Sequence, residues 1–152
     1  IQLSSFVSSL EHLVTNKKFC DLSKEDQFNY VRNYWSAIKQ MFGDAFDDTK
    51  HYLMLKTIGV YTWNWLANDI FNWIVEDKLT PTIDNILRHI KPLADPKVID
   101  WTREGSPLRA FGGLAGVRAA YELLLNNLAD LGNPKAEQRI AELRTRRRRV
   151  TS

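Results

Sequence analysis

Histidine and cysteine are the residue types most able to bind a transition metal or to act as a nucleophile, and their spacing here favours neither role. His12, His51 and His89 form no HxxxH or HExxH pattern. Cys20 is the only cysteine, so no second thiolate completes a zinc set. The sequence also contains no GxSxG, Walker A or GxGxxG pattern. We therefore expect no metal, no cofactor and no catalytic site.

A group of acidic residues could ligate a hard cation such as Ca²⁺. Asp44, Asp47 and Asp48 lie close together, but their spacing does not complete an EF-hand loop. Asp47 or Asp48 followed by Thr49 is also typical of a helix N-cap. The pattern favours capping over metal binding.

The segment 105–116, GSPLRAFGGLAG, is the part of the chain most able to hold an anion. Its glycines would let backbone N–H groups approach an anion at the start of the next helix. Arg103, Arg109 and Arg118 would add positive charge. A surface loop whose glycines only permit tight turns explains the same pattern, and we favour that interpretation.

The basic character of the chain is concentrated at its C-terminus. The formal net charge is +3, and the five C-terminal arginines leave the rest of the chain at −2. Such a cluster can neutralise several phosphates with little dependence on base sequence. A solvated helix terminus or a linker accounts for it equally well. The five residues are Arg144, Arg146, Arg147, Arg148 and Arg149.

The spacing of apolar residues predicts one compact all-α domain of about six or seven helices, with no strand. A core domain over 1–132 would be followed by a terminal helix and arginine-rich tail over 133–152. We expect a long Gly- and Pro-containing loop over 93–116, with a short helix at 98–101. The other helices are predicted at 4–16, 23–42, 51–56, 60–75, 80–92 and 117–131, with a kink at Gly59 and stops at Gly43 and Gly132.

The aromatic residues have two interpretations. Trp63, Trp65 and Trp73 could stack on bases, but they lie in the most apolar stretch and we expect them in the core. If the chain were instead a protein-interaction or self-assembly domain, Tyr30, Tyr34 and Tyr61 would form its exposed patch.

The composition points to a folded domain in a reducing compartment. The chain has 152 residues, of which 44% are hydrophobic, and a single cysteine. No apolar run is long enough to span a bilayer, so we expect a cytoplasmic protein without a membrane partner. The chain begins at Ile1 rather than at a Met, and we interpret it as a fragment of a longer protein.

Three short stretches resemble the helical C-terminal part of bacterial DGQHR-motif proteins, which include DndB-like proteins associated with DNA phosphorothioate modification. These are the helix 33–42 (NYWSAIKQMF), the acidic pair Asp47-Asp48 and the segment 52–59 (YLMLKTIG). Trp101 and the pair Gly112-Gly113 resemble a later part of the same family. The resemblance covers about residues 3 to 130. The Asp-Gly-Gln-His-Arg motif itself, which lies in the family's N-terminal half, is absent.

The resemblance implies a parent protein that acts in DNA modification or restriction, or in its regulation. Lys56, Thr57 and Gly59 are then the first positions to examine for DNA contact, although an exposed Lys at a helix kink is an equally good physical explanation. We therefore expect a non-catalytic accessory domain that contacts nucleic acid, with a protein-interaction or self-assembly domain as the alternative. Phosphate contacts would come from Lys56, Arg103, Arg109, Arg144 and 146–149.

Overall fold

The structure is a computed structural model that describes residues 1–151, and over these residues the chain is all-α, as predicted. It contains no strand in this range, and Tyr52 and Thr102 form one isolated antiparallel bridge. Two short 3-10 turns lie at Lys91–Ala94 and Pro107–Ala110. The nine α-helices of the described residues are α1 (Leu3–Ser9), α2 (Glu11–Val14), α3 (Lys17–Cys20), α4 (Lys24–Met41), α5 (Gly43–Asp47), α6 (Thr57–Glu76), α7 (Ile83–Ile90), α8 (Gly113–Asp130) and α9 (Pro134–Thr151).

There are more helices than the six or seven predicted because the N-terminal segment is broken. The predicted helix 4–16 divides into α1 and α2, which meet at Leu10. Asn16 then starts α3, since its side chain accepts a hydrogen bond from the backbone N–H of Lys18 at 3.0 Å. Gly43 was predicted as the stop of α4, but α4 ends at Met41 and Gly43 is the first residue of α5.

The buried face of α4 contains two tyrosines beside Ala37 and Ile38. Tyr30 and Tyr34 are fully buried, whereas Phe28 is 65% exposed. The Tyr30 hydroxyl donates to the carbonyl of Ala67 at 2.5 Å and the Tyr34 hydroxyl to that of Trp63 at 2.5 Å. Burial is tolerated because each hydroxyl has a partner. The prediction that Tyr30 and Tyr34 form an exposed patch was therefore wrong.

The central helix is α6, which contains the most apolar stretch of the sequence. It packs against α1, α2, α7 and α8, and its side chains Trp63, Leu66, Ile70 and Ile74 are fully buried. The predicted kink at Gly59 does not occur, because Gly59 lies inside α6. A Cβ at that position would come within 2.4 Å of two backbone carbonyl oxygens, so glycine permits a close approach of the preceding loop.

The predicted helices at 51–56 and 98–101 were wrong, because these two segments pair with each other. Leu53 N–H donates to the carbonyl of Trp101 at 2.9 Å, and Arg103 N–H donates to that of His51 at 2.7 Å. The Asp100 carboxylate also accepts the N–H of Thr102 at 2.8 Å. These non-local bonds satisfy the backbone groups that a local helix would have used.

The C-terminal helix is held on the core by α8. Gly132, with a φ of 91°, ends α8, and Asn133 then caps α9 by accepting the N–H groups of Lys135 and Ala136 at 3.0 and 3.2 Å. Ala136 is fully buried in the core cluster, and Leu143 packs against its edge. From 144 onward the side chains are exposed up to residue 150. The first part of α9 is thus part of the core.

None of the helices in the described range is both long enough and apolar enough to cross a membrane.

Candidate functional site

A polar stripe on the otherwise apolar helix α6 faces α9 and forms one wall of a cavity. Asn68, Asp69, Asn72 and Glu76 recur at helical spacing along this stripe. The cavity, called here the polar cavity, has a volume of about 520 Å³. It is lined from α2, α6 and α9 and from the loop before α3, with the residues His12, Thr15, Asn16, Asn68, Asp69, Asn72, Trp73, Glu76, Lys135, Gln138, Arg139, Glu142 and Arg146.

At the centre of this wall lies a buried charged pair. The Asp69 carboxylate accepts a hydrogen bond from Arg139 Nε at 2.8 Å and another from the Tyr121 hydroxyl. Arg139 also pairs with Glu142, with Nη1 and Oε2 3.3 Å apart. The Asp69 side chain is only 3% exposed. The contact therefore joins α6, α8 and α9 through one carboxylate.

Burial dominates the ionisation of this cluster. It raises the pKa of Asp69 to about 6, although the Arg139 guanidinium and the Tyr121 hydroxyl act in the opposite direction. Burial likewise raises the pKa of Tyr121 far above its ordinary value, and the neighbouring Asp69 carboxylate adds to this shift. At pH 7 most of the Asp69 population is ionised and paired with Arg139.

The asparagine side chains that line the polar cavity are held in fixed orientations. Asn16 Oδ1 accepts the Lys18 N–H, so its Nδ2 must be the group that faces α6. Nδ2 donates to Asn68 Oδ1 and to Asn72 Oδ1, both at 2.8 Å. The amide nitrogens of Asn68 and Asn72 therefore point away from Asn16.

A second cavity adjoins the first. It has a volume of about 240 Å³ and shares His12, Asn68, Arg139 and Arg146 with the polar cavity. Its remaining wall carries aromatic, apolar and charged side chains, namely Trp65, Arg118, Tyr121, Glu122, Leu143 and Arg147. The two cavities together run alongside α9.

The chain matches no protein-family model, no curated protein and no solved structure.

The predicted phosphate-binding residues fall into two groups. Arg144 and 146–149 are exposed on the last turns of α9, where Arg146 lines both cavities and Arg147 lines the second. Arg147 also pairs with Glu122 of α8. Lys56 is half-buried at the N-cap of α6, and Arg103 and Arg109 are exposed on the segment between α7 and α8. None of these last three lines either cavity among the residues that the structure describes.

The other residues considered for chemistry have structural roles. Asp48 accepts the backbone N–H of His51 at 3.1 Å and pairs with its ring at 2.7 Å, which lowers the pKa of Asp48. It thus stabilises a turn, and no helix begins there. Cys20 is exposed. Within the described residues, no cluster of His, Cys, Asp and Glu side chains is suited to hold a metal ion.

Among the histidines of the described residues, only His12 lines the two cavities beside α9. Its ring meets the Trp65 ring edge-on, with centroids 4.6 Å apart. Burial lowers the pKa of His12, so the ring is mostly neutral at pH 7. A neutral ring presents one donor and one acceptor to the cavity.

The polar cavity was missed by sequence reasoning, although a signal for it exists. Asn64, Asn68 and Asn72 recur every fourth residue inside the most apolar helix. Asn64 is buried and bonded to Ser9 and Trp35, so its role is structural. Asn68 and Asn72 continue the same line toward the cavity. A row of amides in an apolar helix indicates either a buried hydrogen-bond network or a polar site, and this helix contains both.

Proposed function

We propose that this chain is a non-catalytic helical domain of a DNA-associated cytoplasmic protein and that it contacts nucleic acid through the basic end of α9. The observation that supports this proposal is the exposed arginine cluster on a helix anchored to the core. Its residues occupy five of the six positions 144–149. At about 100° per residue they project on every side of the helix.

The anchoring of α9 turns these arginines into a positioned arm. Ala136 and the Arg139–Asp69 pair hold the first half of the helix against α6 and α8. The arginines follow within two turns, so their distance from the core is set by the helix. The remainder of the chain carries a net charge of −2 and would not attract a phosphate backbone by itself.

The resemblance to DGQHR-motif proteins supports the same proposal from a different direction. It suggests that the parent protein works on or near DNA. Under this proposal Lys56, Arg103 and Arg109 supply secondary phosphate contacts. The contacts are to the backbone rather than to base edges, so the affinity should not depend on the base sequence of a duplex.

The test is fluorescence anisotropy of a labelled DNA duplex at several salt concentrations. A variant R144Q/R148Q/R149Q removes three arm charges and keeps both the Arg147–Glu122 pair and Arg146. The matched control is K39Q/K50Q/K97Q, which removes three exposed lysines from other elements. We expect the arm variant to bind at least about tenfold more weakly and to lose about two to three from its log–log salt slope.

Two results would contradict the proposal. One is an equal loss of affinity in the arm variant and the lysine control, which would mean that only total charge matters. The other is the absence of duplex binding by the unmodified chain even at low salt. Moving Thr145 to another position within 144–149 should leave the affinity nearly unchanged, because the contacts are electrostatic.

An exposed apolar face on α1 favours the second candidate function, association with a protein or with another copy of the chain. Leu3 is 79% exposed and Val7, one turn later, is 58% exposed. The molar mass in solution should then rise with concentration, and L3K/V7K should abolish the rise. A monomer mass at every concentration would count against self-association.

A further inference from the structure

We propose that the polar cavity and the second cavity together form a binding site for one nucleotide, with the base held against α6 and the phosphate beside Arg146. The same chemistry is offered by a free mononucleotide and by an unpaired nucleotide of a strand. Recognition of the base does not depend on the arm proposed above, because the residues that would recognise it lie on α6, and Arg146 is the one arm residue that the two proposals share.

The first argument is the size of the site and the ion pairs in its walls. A volume of about 520 Å³ for the polar cavity, with a further 240 Å³ adjoining it, lies within the roughly 300–1,000 Å³ usual for small-molecule sites. The walls are braced by ion pairs within the protein. Lys135 bridges Glu76 and Asp77 at 3.1 Å each, and Arg139 holds Asp69 and Glu142. Each of these two cations is therefore already shared by two carboxylates before any ligand enters.

The second argument is the hydrogen-bonding capacity that remains. Asn16 donates to the amide oxygens of both Asn68 and Asn72, so the two amide nitrogens point away from Asn16. Both side chains line the polar cavity. In the described part of the chain, neither nitrogen donates to a protein acceptor, and neither side chain is fully buried. Two amide donors one helical turn apart suit the ring nitrogens and carbonyl oxygens of a base edge.

The third argument is the flat apolar surface next to these donors. The Trp65 ring lies in the wall of the second cavity, and the His12 and Tyr121 rings contact it at interplanar angles of 84° and 73°, with centroid distances of 4.6 and 5.9 Å. An aromatic ring beside amide donors suits a planar, polar-edged ligand such as a base, which stacks by its face and bonds by its edge.

The fourth argument is the charge at the rim. Arg146 lines both cavities, and none of the residues that the structure describes forms an ion pair with it. Arg118 lines the second cavity from α8. Two guanidinium groups at one edge of an otherwise charge-paired cavity select a ligand with one anionic end, which for a nucleotide is the phosphate.

The test is isothermal titration of the full chain with the four 5′-ribonucleoside monophosphates, with ribose 5-phosphate and inorganic phosphate as comparison probes. We expect at least one mononucleotide to bind with a Kd below about 1 mM and at least about tenfold more tightly than ribose 5-phosphate. Asn72→Ala should weaken that binding about tenfold or more, because it removes one of the two amide donors. The matched control Asn126→Ala, on the exposed side of α8, should leave it unchanged.

A variant outside the hydrogen-bond network protects the test against misfolding. Arg146 is exposed on α9, so Arg146→Gln should fold normally. It should weaken mononucleotide binding while hardly affecting binding of the corresponding nucleoside, titrated in the same way. Absence of binding by all four mononucleotides at about 1 mM would overturn the proposal. So would equal effects of Asn72→Ala and Asn126→Ala, or binding of ribose 5-phosphate as strong as that of the nucleotides.

A single-stranded oligonucleotide distinguishes the two sources of the nucleotide. If Asn72→Ala weakens binding of the strand as well, the site accepts an unpaired nucleotide of a chain. If it weakens only mononucleotide binding, the ligand is a free nucleotide. Loss of duplex binding in R144Q/R148Q/R149Q with intact mononucleotide binding would show that the arm and the cavity act separately. Intact duplex binding with loss of mononucleotide binding would contradict the cavity site alone.

Discussion

Replacing Arg139 by Met should destabilise the fold in a strongly pH-dependent manner. The substitution keeps the apolar stem but removes the guanidinium that compensates Asp69, whose side chain is 3% exposed. A buried carboxylate without a cationic partner escapes the desolvation penalty by binding a proton, and the Tyr121 hydroxyl that still bonds Asp69 carries no charge. We therefore expect the folded-state pKa of Asp69 in this variant to rise from about 6 toward the range of 8–9 documented for unpaired buried carboxyls.

The size of the effect follows from the linkage between protonation and folding. In the unmodified chain the folded-state pKa of Asp69, about 6, lies above the unfolded value of about 3.9. The ionisation of Asp69 therefore lowers stability as the pH rises, by about 1.5 kcal/mol at pH 5 and about 3 kcal/mol at pH 8. In the folded variant the carboxyl stays largely protonated, whereas it ionises on unfolding. The loss of stability that follows is then about 1.5 kcal/mol at pH 5 and about 5.5 kcal/mol at pH 8. The penalty of Arg139→Met should thus be 2–3 kcal/mol larger at pH 8 than at pH 5.

The assay is urea unfolding of both proteins at pH 5 and pH 8, with the free energy of unfolding extrapolated to water. Arg144→Met makes the same chemical change on the exposed part of α9 and should cost less than about 0.5 kcal/mol at either pH. The double variant D69N/R139M lacks the titrating group and should lose the pH dependence. A penalty for Arg139→Met that is equal at the two pH values would refute the reasoning, because it would show that the folded-state pKa of Asp69 does not depend on Arg139.

Three further predictions concern the elements that position α6 and α9, each checked by urea unfolding. Gly59→Ala should cost about 2–3 kcal/mol, because a Cβ there would meet two backbone carbonyl oxygens, whereas Gly43→Ala, with no atom within 4 Å of the added Cβ, should be neutral or slightly stabilising. Asn133→Ala should cost about 1 kcal/mol, since it removes the acceptor for two N–H groups at the start of α9. Tyr34→Phe should cost about 1 kcal/mol through loss of the 2.5 Å bond to the carbonyl of Trp63, and no loss in this variant would show that the bond contributes nothing.

Local signals in the sequence were sufficient for much of the fold. Ser23 begins α4 and Gly132 ends α8, as their side-chain and backbone preferences predict. The failures occurred where distant segments meet. The residues 51–56 have helical spacing, but the His51 carbonyl and the Leu53 N–H bond to 103 and 101, a pairing that no local pattern predicts. The kink predicted at Gly59 was wrong for the same reason. The glycine is there because the loop before α6 packs closely against it, which local spacing does not show.

The candidate site was accessible to sequence reasoning only in part. The arginines of α9 stand out by composition, and the structure places them on an exposed helix. The polar cavity depends on three elements that are far apart in the chain. Asn16 lies 52 residues from Asn68, and Asp69 meets a guanidinium from the last helix. The spacing of the asparagines marks a polar face on α6, but not the partners that turn this face into a cavity.

The buried pair explains why the arm and the cavity belong to one structural unit. A buried ion pair is weak evidence for stability. Here burial raises the pKa of Asp69 by more than the Arg139 guanidinium lowers it. The pair instead fixes the position of α9 on the core. Arg139 lies seven residues before Arg146, almost two full turns along α9, so both side chains lie on the same face of the helix. The contact that docks Arg139 on Asp69 therefore also sets Arg146 at the cavity rim and directs the arginines at 147–149 beyond it.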